Sequence, residues 1–220
     1  MQYEPIKKFL AGFFRRAPFM RKLLYFLLDL LLLRSWHVRK AIHRKGKNLP
    51  DNAAVLDAGS GFGQYAWRMS SIFRNWRITG IDINSDDADD CNRFFTGAGR
   101  SGRVAFRQGD LTLLDEQAVY DLIITVDVME HIRDDEKVFS NFFNALKERG
   151  ILIISTPSDK GGSDVHDHGG RSFIDEHVRD GYSREEMAGK LSKAGFSSFE
   201  IKYTYGKAGN LSWRLAMKYP

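Results

Sequence analysis

The chain has 220 residues, 43% hydrophobic and 28% charged, enough for one core with a small appendage and unlike a disordered polymer. Its single cysteine, Cys91, excludes an internal disulfide and fits a reducing compartment. The net charge of +5 hides an asymmetry: residues 1–50 hold twelve Lys/Arg against two acids, and residues 51–220 hold 21 against 26. A basic arm, 1–48, thus precedes a mildly acidic domain, 49–220.

The arm is also apolar. Phe9, Leu10, Phe13 and Phe14 form a cluster cut off by Pro18, and Leu23 to Leu33 is apolar except for Asp29. Eleven residues fall short of the ~20 a spanning helix needs. Arg15, Arg16, Arg21 and Lys22 before the run and Arg34, Arg39 and Lys40 after it would put a basic cluster on the wrong side. Arg15-Arg16 ahead of an apolar run is similar to a twin-arginine signal, but no small-x-small cleavage site follows. Two readings stay open and can coexist. The helices lie in the interface of an anionic membrane, with Lys/Arg among lipid phosphates, or they fold over the domain as a lid. Leucine on every side of the 23–33 segment favours the membrane surface. The expected location is cytoplasmic, peripheral on the inner face of the membrane.

Val55-Leu56-Asp57-Ala58-Gly59-Ser60-Gly61-Phe62-Gly63 reads as a buried strand entering a glycine-rich turn that opens a helix from Gln64 to about Arg74. The dinucleotide fingerprint needs glycine where Gln64 stands, which disfavours a dehydrogenase. Ile78 to Ile83 is a second strand ending in Asp82, 23 residues after Gly59, the spacing of an acid that accepts hydrogen bonds from ribose hydroxyls. Ser85 begins a helix whose Asp86, Asp87, Asp89 and Asp90 suit a helix amino terminus better than a metal site, and Cys91 is a buried spectator on it. A third strand, Val104 to Gln108, leads to Gly109-Asp110. A fourth, Asp121 to Val126, leads to Asp127, Glu130 and His131. Asp134 to Leu146 is a helix with Val138, Phe139, Phe142, Phe143 and Leu146 on one face. A fifth strand, Gly150 to Thr156, precedes Pro157. Ser183-Arg184-Glu185-Glu186 is a capping box for a helix ended by Gly195, and Phe199–Tyr205 with Leu211–Met217 reads as a final antiparallel hairpin. Apolar β-branched runs alternating with helices predict a parallel sheet covered on both faces.

The order acid, small residue, Gly-x-Gly-x-Gly resembles the first motif of class I S-adenosylmethionine-dependent methyltransferases, and the resemblance extends over about residues 50–217. The segment Asp121 to Thr156 is most similar to the quinone O-methyltransferase branch, where an acid and a Glu-His pair follow the fourth strand and Lys-x-x-Gly (here Lys147-Glu148-Arg149-Gly150) leads into the fifth. This implies a Rossmann-like α/β fold with a seven-stranded, mostly parallel sheet. It also implies S-adenosylmethionine as cofactor. Asp57, Gly59, Gly61 and Gly63 would line its methionine end, Asp82 with Ile83 its ribose and Asp110 its adenine. Leu111 would pack on the ring, and Asp127 would sit near the methyl group.

The cofactor carries the electrophile; the protein aligns the acceptor and excludes water. For a phenol or enol acceptor His131 is the first candidate base. Asp127, Glu130 and His131 are alternatively ligands of a divalent ion such as Mg, though Asp127 stands where a longer Glu is expected; His131 as a cap for the following helix is the structural alternative. The 26-residue loop from Pro157 to Tyr182 is long for a compact domain and holds His166, His168, His177, Arg179 and Tyr182, an expected acceptor-binding lid. His166-x-His168 as a metal pair is less favoured than a plain polar lid. The leading function is methyl transfer to a lipophilic small molecule at a phenolic or enolic oxygen. The alternatives are a protein or nucleic-acid methyltransferase, disfavoured by the leucine-rich arm, and a non-catalytic membrane-associated partner subunit. No nucleic acid is expected as a partner.

Overall fold

The computed structural model describes residues 18–160, 178–179 and 181–204. Two helices come first, α1 (Pro18–Leu31) and α2 (Leu33–Gly46), broken at Leu32, whose extended backbone ends one helix and starts the next. The single helical run expected over 23–33 is therefore two helices. Strands and helices then alternate: β1 (Ala54–Ala58), α3 (Gln64–Ile72), β2 (Arg77–Asp82), α4 (Ser85–Gly97), β3 (Val104–Gln108), β4 (Tyr120–Val126), α5 (Asp135–Ala145), β5 (Leu146–Ser155) and α6 (Arg184–Ala194). Single 3-10 turns follow β3 (Leu111–Leu113) and β4 (Met129–His131).

All strand pairings are parallel and the order is β3-β2-β1-β4-β5. The order reverses between β1 and β4, which opens the crevice where α/β sheets bind ligands. The described sheet has five strands where seven were expected. Residues 199–204 form no strand: Tyr203 is held instead by side chains, its hydroxyl donating to Asp159 at 3.0 Å and its ring lying under Arg184. Residues 205–220, which include the last expected strand, lie outside the described residues.

Side chains alternate across the sheet and so feed two cores. Val55, Ile78, Leu122 and Ile124 join one with Met69, Phe95 and, from the amino-terminal helices, Tyr25, Val38 and Ile42. Leu56, Ile81 and Ile123 join the other with Val138, Phe139, Phe142 and Leu191. The amino-terminal helices thus share a core with the sheet.

Caps follow the sequence closely. Ser183 accepts from the Glu186 N–H at 3.0 Å, and Gly195 ends α6 in the left-handed region at φ 110°. α4 begins at Ser85 as expected, capped by the Asn84 side chain, with Asp86 and Asp87 in the first turn. Among the described residues no helix is long and apolar enough to cross a membrane.

Candidate active site

The glycine turn is built from backbone that only glycine adopts easily. Gly59, Gly61 and Gly63 have φ of 76°, 47° and 79°. A Cβ on Gly59 would lie 2.2 Å from a Val128 methyl, so β1 and the loop after β4 approach more closely there than a side chain permits. At Gly61 a Cβ would meet nothing within 4 Å, so the space beside this residue is open. The N–H groups of Gly59 and Ser60 donate to the Ile81 carbonyl at 2.8 and 2.9 Å, and that of Gly61 donates to Asp82 Oδ2 at 2.7 Å. The turn and the β2 acid are therefore one unit.

Asp82 Oδ1 also accepts from the Asn84 N–H at 3.0 Å. Each oxygen keeps a lone pair, as a carboxylate receiving ribose hydroxyls requires. Ile83 beside it is 68% exposed. Asp57 is buried, and its Oδ2 accepts from the Ala66 N–H at the start of α3 at 3.0 Å. Burial pushes its carboxyl up to about 7; the Ala66 bond opposes this and the Asp82 charge adds to it. Open glycine backbone, a strand-end acid with spare acceptors and a second acid facing the same turn fit a cationic nucleoside ligand.

Asp110 is exposed and receives the Thr112 N–H and hydroxyl, each at 2.8 Å. Leu111, expected to pack on a ring, is buried in the core cluster that holds Leu114, Val138 and Phe139, and Asn141 of α5 donates to its carbonyl at 2.9 Å. The exposed apolar residue of that turn is Leu113.

Beyond β4 the acids take separate partners. Asp127, at φ 52°, forms an ion pair with Arg34 of α2. Glu130 is buried and accepts from the Thr156 hydroxyl at 3.1 Å. His131 is exposed, and the cap of α5 is Asp134 rather than His131. The donor set Asp127, Glu130 and His131 does not fit a shared divalent ion: one oxygen donor pairs with a guanidinium and one is buried beside a hydroxyl. Among the described residues no group of three such side chains could hold a metal.

His166, His168 and His177 lie outside the described residues. Arg179 and Tyr182, read in sequence as substrate-binding, converge on buried Asp135. Arg179 Nη1 reaches it at 2.5 Å, the Tyr182 hydroxyl donates at 2.7 Å, and Lys190 Nζ pairs at 2.9 Å. Arg179 also donates to the carbonyls of Ile132 and Arg133, and Tyr182 to that of Met129. These side chains clamp the loop after β4. The Tyr182 N–H donates to the Pro157 carbonyl at 3.1 Å, so the two ends of the long loop meet.

The amino-terminal helices dock onto the glycine turn, one of the two places the sequence leaves open for them, through polar side chains that the sequence does not single out. Buried Arg21 donates to the Phe62 carbonyl at 2.5 Å, to Asp90 at 2.6 Å and to Cys91 Sγ at 3.0 Å, and the Tyr25 hydroxyl donates to the same carbonyl. One of the two readings of the arm places its Lys/Arg among lipid phosphates; Arg21 is buried and does not fit it. Cys91 is buried on α4 as expected, its thiol pushed up to about 12 by burial. Gln64 Nε2 donates to Asp29 at 3.1 Å and to Ser35 at 3.2 Å. The signal for this was Asp29 itself, one acid inside a leucine run, which needs a partner wherever it is buried.

A doubly covered parallel sheet with a glycine turn after β1 and acids ending β2 and β4 defines the class I methyltransferase fold. The methyltransferase-domain family matches residues 49–194, and the chain belongs to it. It is 30% identical over 153 residues to a probable S-adenosylmethionine-dependent methyltransferase from Mycolicibacterium smegmatis, covering 69% of this chain and 54% of that one. It is 26% identical over 102 residues to a ubiquinone biosynthesis O-methyltransferase from Rickettsia bellii, covering 46% of this chain and 41% of that one. The chain thus spans about half the length of these curated relatives. A structural neighbour is phosphoethanolamine N-methyltransferase 2 of Haemonchus contortus with phosphomonomethylethanolamine and S-adenosylhomocysteine (TM-score 0.66, 21% identity, 76% of this chain and 38% of that one). S-adenosylmethionine is the cofactor that the family and its fold imply.

Proposed function

We propose that the chain transfers the methyl group of S-adenosylmethionine to a phenolic or enolic oxygen of a lipophilic small molecule at a membrane surface. The observation that carries the cofactor reading is the Gly61–Asp82 unit, in which the open turn and the β2 acid are joined by a 2.7 Å hydrogen bond. The bound cofactor supplies an electrophilic sulfonium methyl. Gly59, Gly61 and Gly63 would let the backbone approach it, Asp57 would face its positive end, Asp82 with Ile83 would hold the ribose and Asp110 the adenine edge. Asp127, held by Arg34, lines the acceptor side. His131 accepts the proton of the acceptor hydroxyl as the oxygen attacks, and Glu130 fixes the loop that carries it.

The oxygen acceptor is supported by likeness to a ubiquinone biosynthesis O-methyltransferase, and the lipophilic character by the apolar outward side chains of α1. Calorimetric titration with S-adenosylhomocysteine tests the cofactor. Micromolar binding is expected, weakened roughly 10- to 100-fold in Asp82→Ala, because hydrogen bonds to a charged group are worth about 1.5–3 kcal/mol. Absence of binding to folded wild-type protein would remove the reading. His131→Ala is expected to keep cofactor affinity and lose turnover; unchanged turnover would end its role as base.

A further inference from the structure

Helix α1 carries polar groups on its docked side. Tyr25 packs in the core there, but Arg21 and the Tyr25 hydroxyl bond the turn, and Asp29 holds Gln64 and lies 3.5 Å from Arg68. Its outward face carries Phe19, Leu23, Phe26, Leu27 and Leu30, at i, i+4, i+7, i+8 and i+11, with Phe19, Phe26 and Leu30 72, 61 and 67% exposed. A helix docked only for stability shows the reverse arrangement.

On α2 cationic side chains stand around a largely apolar groove. Leu33 and Trp36 of α2 are exposed, and Trp36 opens a groove of about 450 Å³ between α2 and α3, shared with Arg39, Lys40, His43, Arg68 and Ile72. Arg68, which lies 3.5 Å from Asp29 on the inward side of α1, also lines this groove. The groove lining contains no acid. Lys40 Nζ lies 5.2 Å from the Trp36 ring, and among the described residues Arg39, Lys40 and His43 form no ion pair. Residues 1–17 hold four Lys/Arg and one acid, and residues 205–220 hold three and none, so both terminal segments are net basic.

We propose that the α2–α3 groove binds the phosphate of an anionic phospholipid headgroup while the outward stripe of α1 enters the acyl boundary of the same membrane. Apolar side chains beside unpaired cations match that interface, where each cation near the surface adds to attraction for anionic lipid. The proposal rests on the membrane part of the function given above and adds the site and the orientation. Because the inward face of α1 holds the glycine turn through Phe62, the docked protein presents its cofactor site beside the lipid.

The test is co-sedimentation of the full chain with phosphatidylcholine vesicles, with and without phosphatidylserine. Wild type is expected to bind the anionic vesicles preferentially, and high salt to release it. Arg39→Gln with Lys40→Gln is expected to weaken that binding about tenfold or more, with S-adenosylhomocysteine affinity unchanged. Phe26→Ser with Leu30→Ser is expected to abolish vesicle binding, with S-adenosylhomocysteine affinity again unchanged. Wild-type affinity in the Arg39/Lys40 variant would overturn the groove as headgroup site while leaving membrane binding standing. Failure of wild type on either vesicle would overturn the membrane reading as well. A wild-type dimer that the Phe26/Leu30 variant turns into monomer, without vesicle binding, would assign the stripe to a second copy and overturn the proposal. Competition by inorganic phosphate with no vesicle binding would make the groove a free-phosphate site and overturn it too.

Discussion

Arg34 of α2 and Asp127 at the carboxyl end of β4 form an ion pair, which joins the amino-terminal helices directly to the strand end beside the candidate active site. Both side chains are about one-third exposed, so solvent screens the pair and its worth is positional more than energetic. Arg34→Gln is expected to lower stability by about 0.5–1 kcal/mol and to increase hydrogen exchange across 33–46. Unchanged exchange there would show that the remaining contacts hold α2 alone.

Asp57 makes stability depend on pH. Its folded carboxyl is pushed up to about 7 from an ordinary 3.8, chiefly by burial. The folded state therefore holds a proton that the unfolded chain releases, and stability falls as pH rises from about 4 to about 7. At about 1.4 kcal/mol per unit the loss is roughly 4 kcal/mol. Denaturant titrations between pH 4 and 8 should show this slope in wild type and a flatter profile in Asp57→Asn. A cationic cofactor favours the ionised form, so its binding should tighten over the same interval.

Gly59 tests the close approach of β1 to the loop after β4. Gly59→Ala places a methyl 2.2 Å from Val128 at φ 76° and should cost about 2–4 kcal/mol, from strain plus overlap. Adding Val128→Ala should recover the steric part and leave the backbone part. Thermal melts of the two single variants and the double variant separate these terms; no recovery would mean that strain alone sets the cost.

Asp135 joins α5, α6 and the end of the long loop through Arg179, Lys190 and Tyr182. Its removal leaves two partly buried cations without their carboxylate. Asp135→Ala should destabilise by about 3 kcal/mol and increase proteolysis near residues 178–182. A loss below about 0.5 kcal/mol would show that water replaces the carboxylate.

The amino-acid sequence alone specified β1 to β4, because parallel strands buried on both faces read as short apolar runs, and each falls within a residue or so of its expected range. It also determined the glycine turn, the Asp82 strand end and the α6 caps, since each depends on residues close in the chain. Tertiary structure alone decided where the amino-terminal helices go. Leucine content indicated an apolar segment but not which side of it docks. That was settled by Arg21, Tyr25 and Asp29 meeting Phe62, Asp90 and Gln64, partners 35 to 69 residues away. It likewise drew Arg179 and Tyr182 onto Asp135, and it divided Asp127 from Glu130. Carboxylates three residues apart were drawn to different partners, because which cation or hydroxyl reaches a side chain is fixed only when distant elements pack.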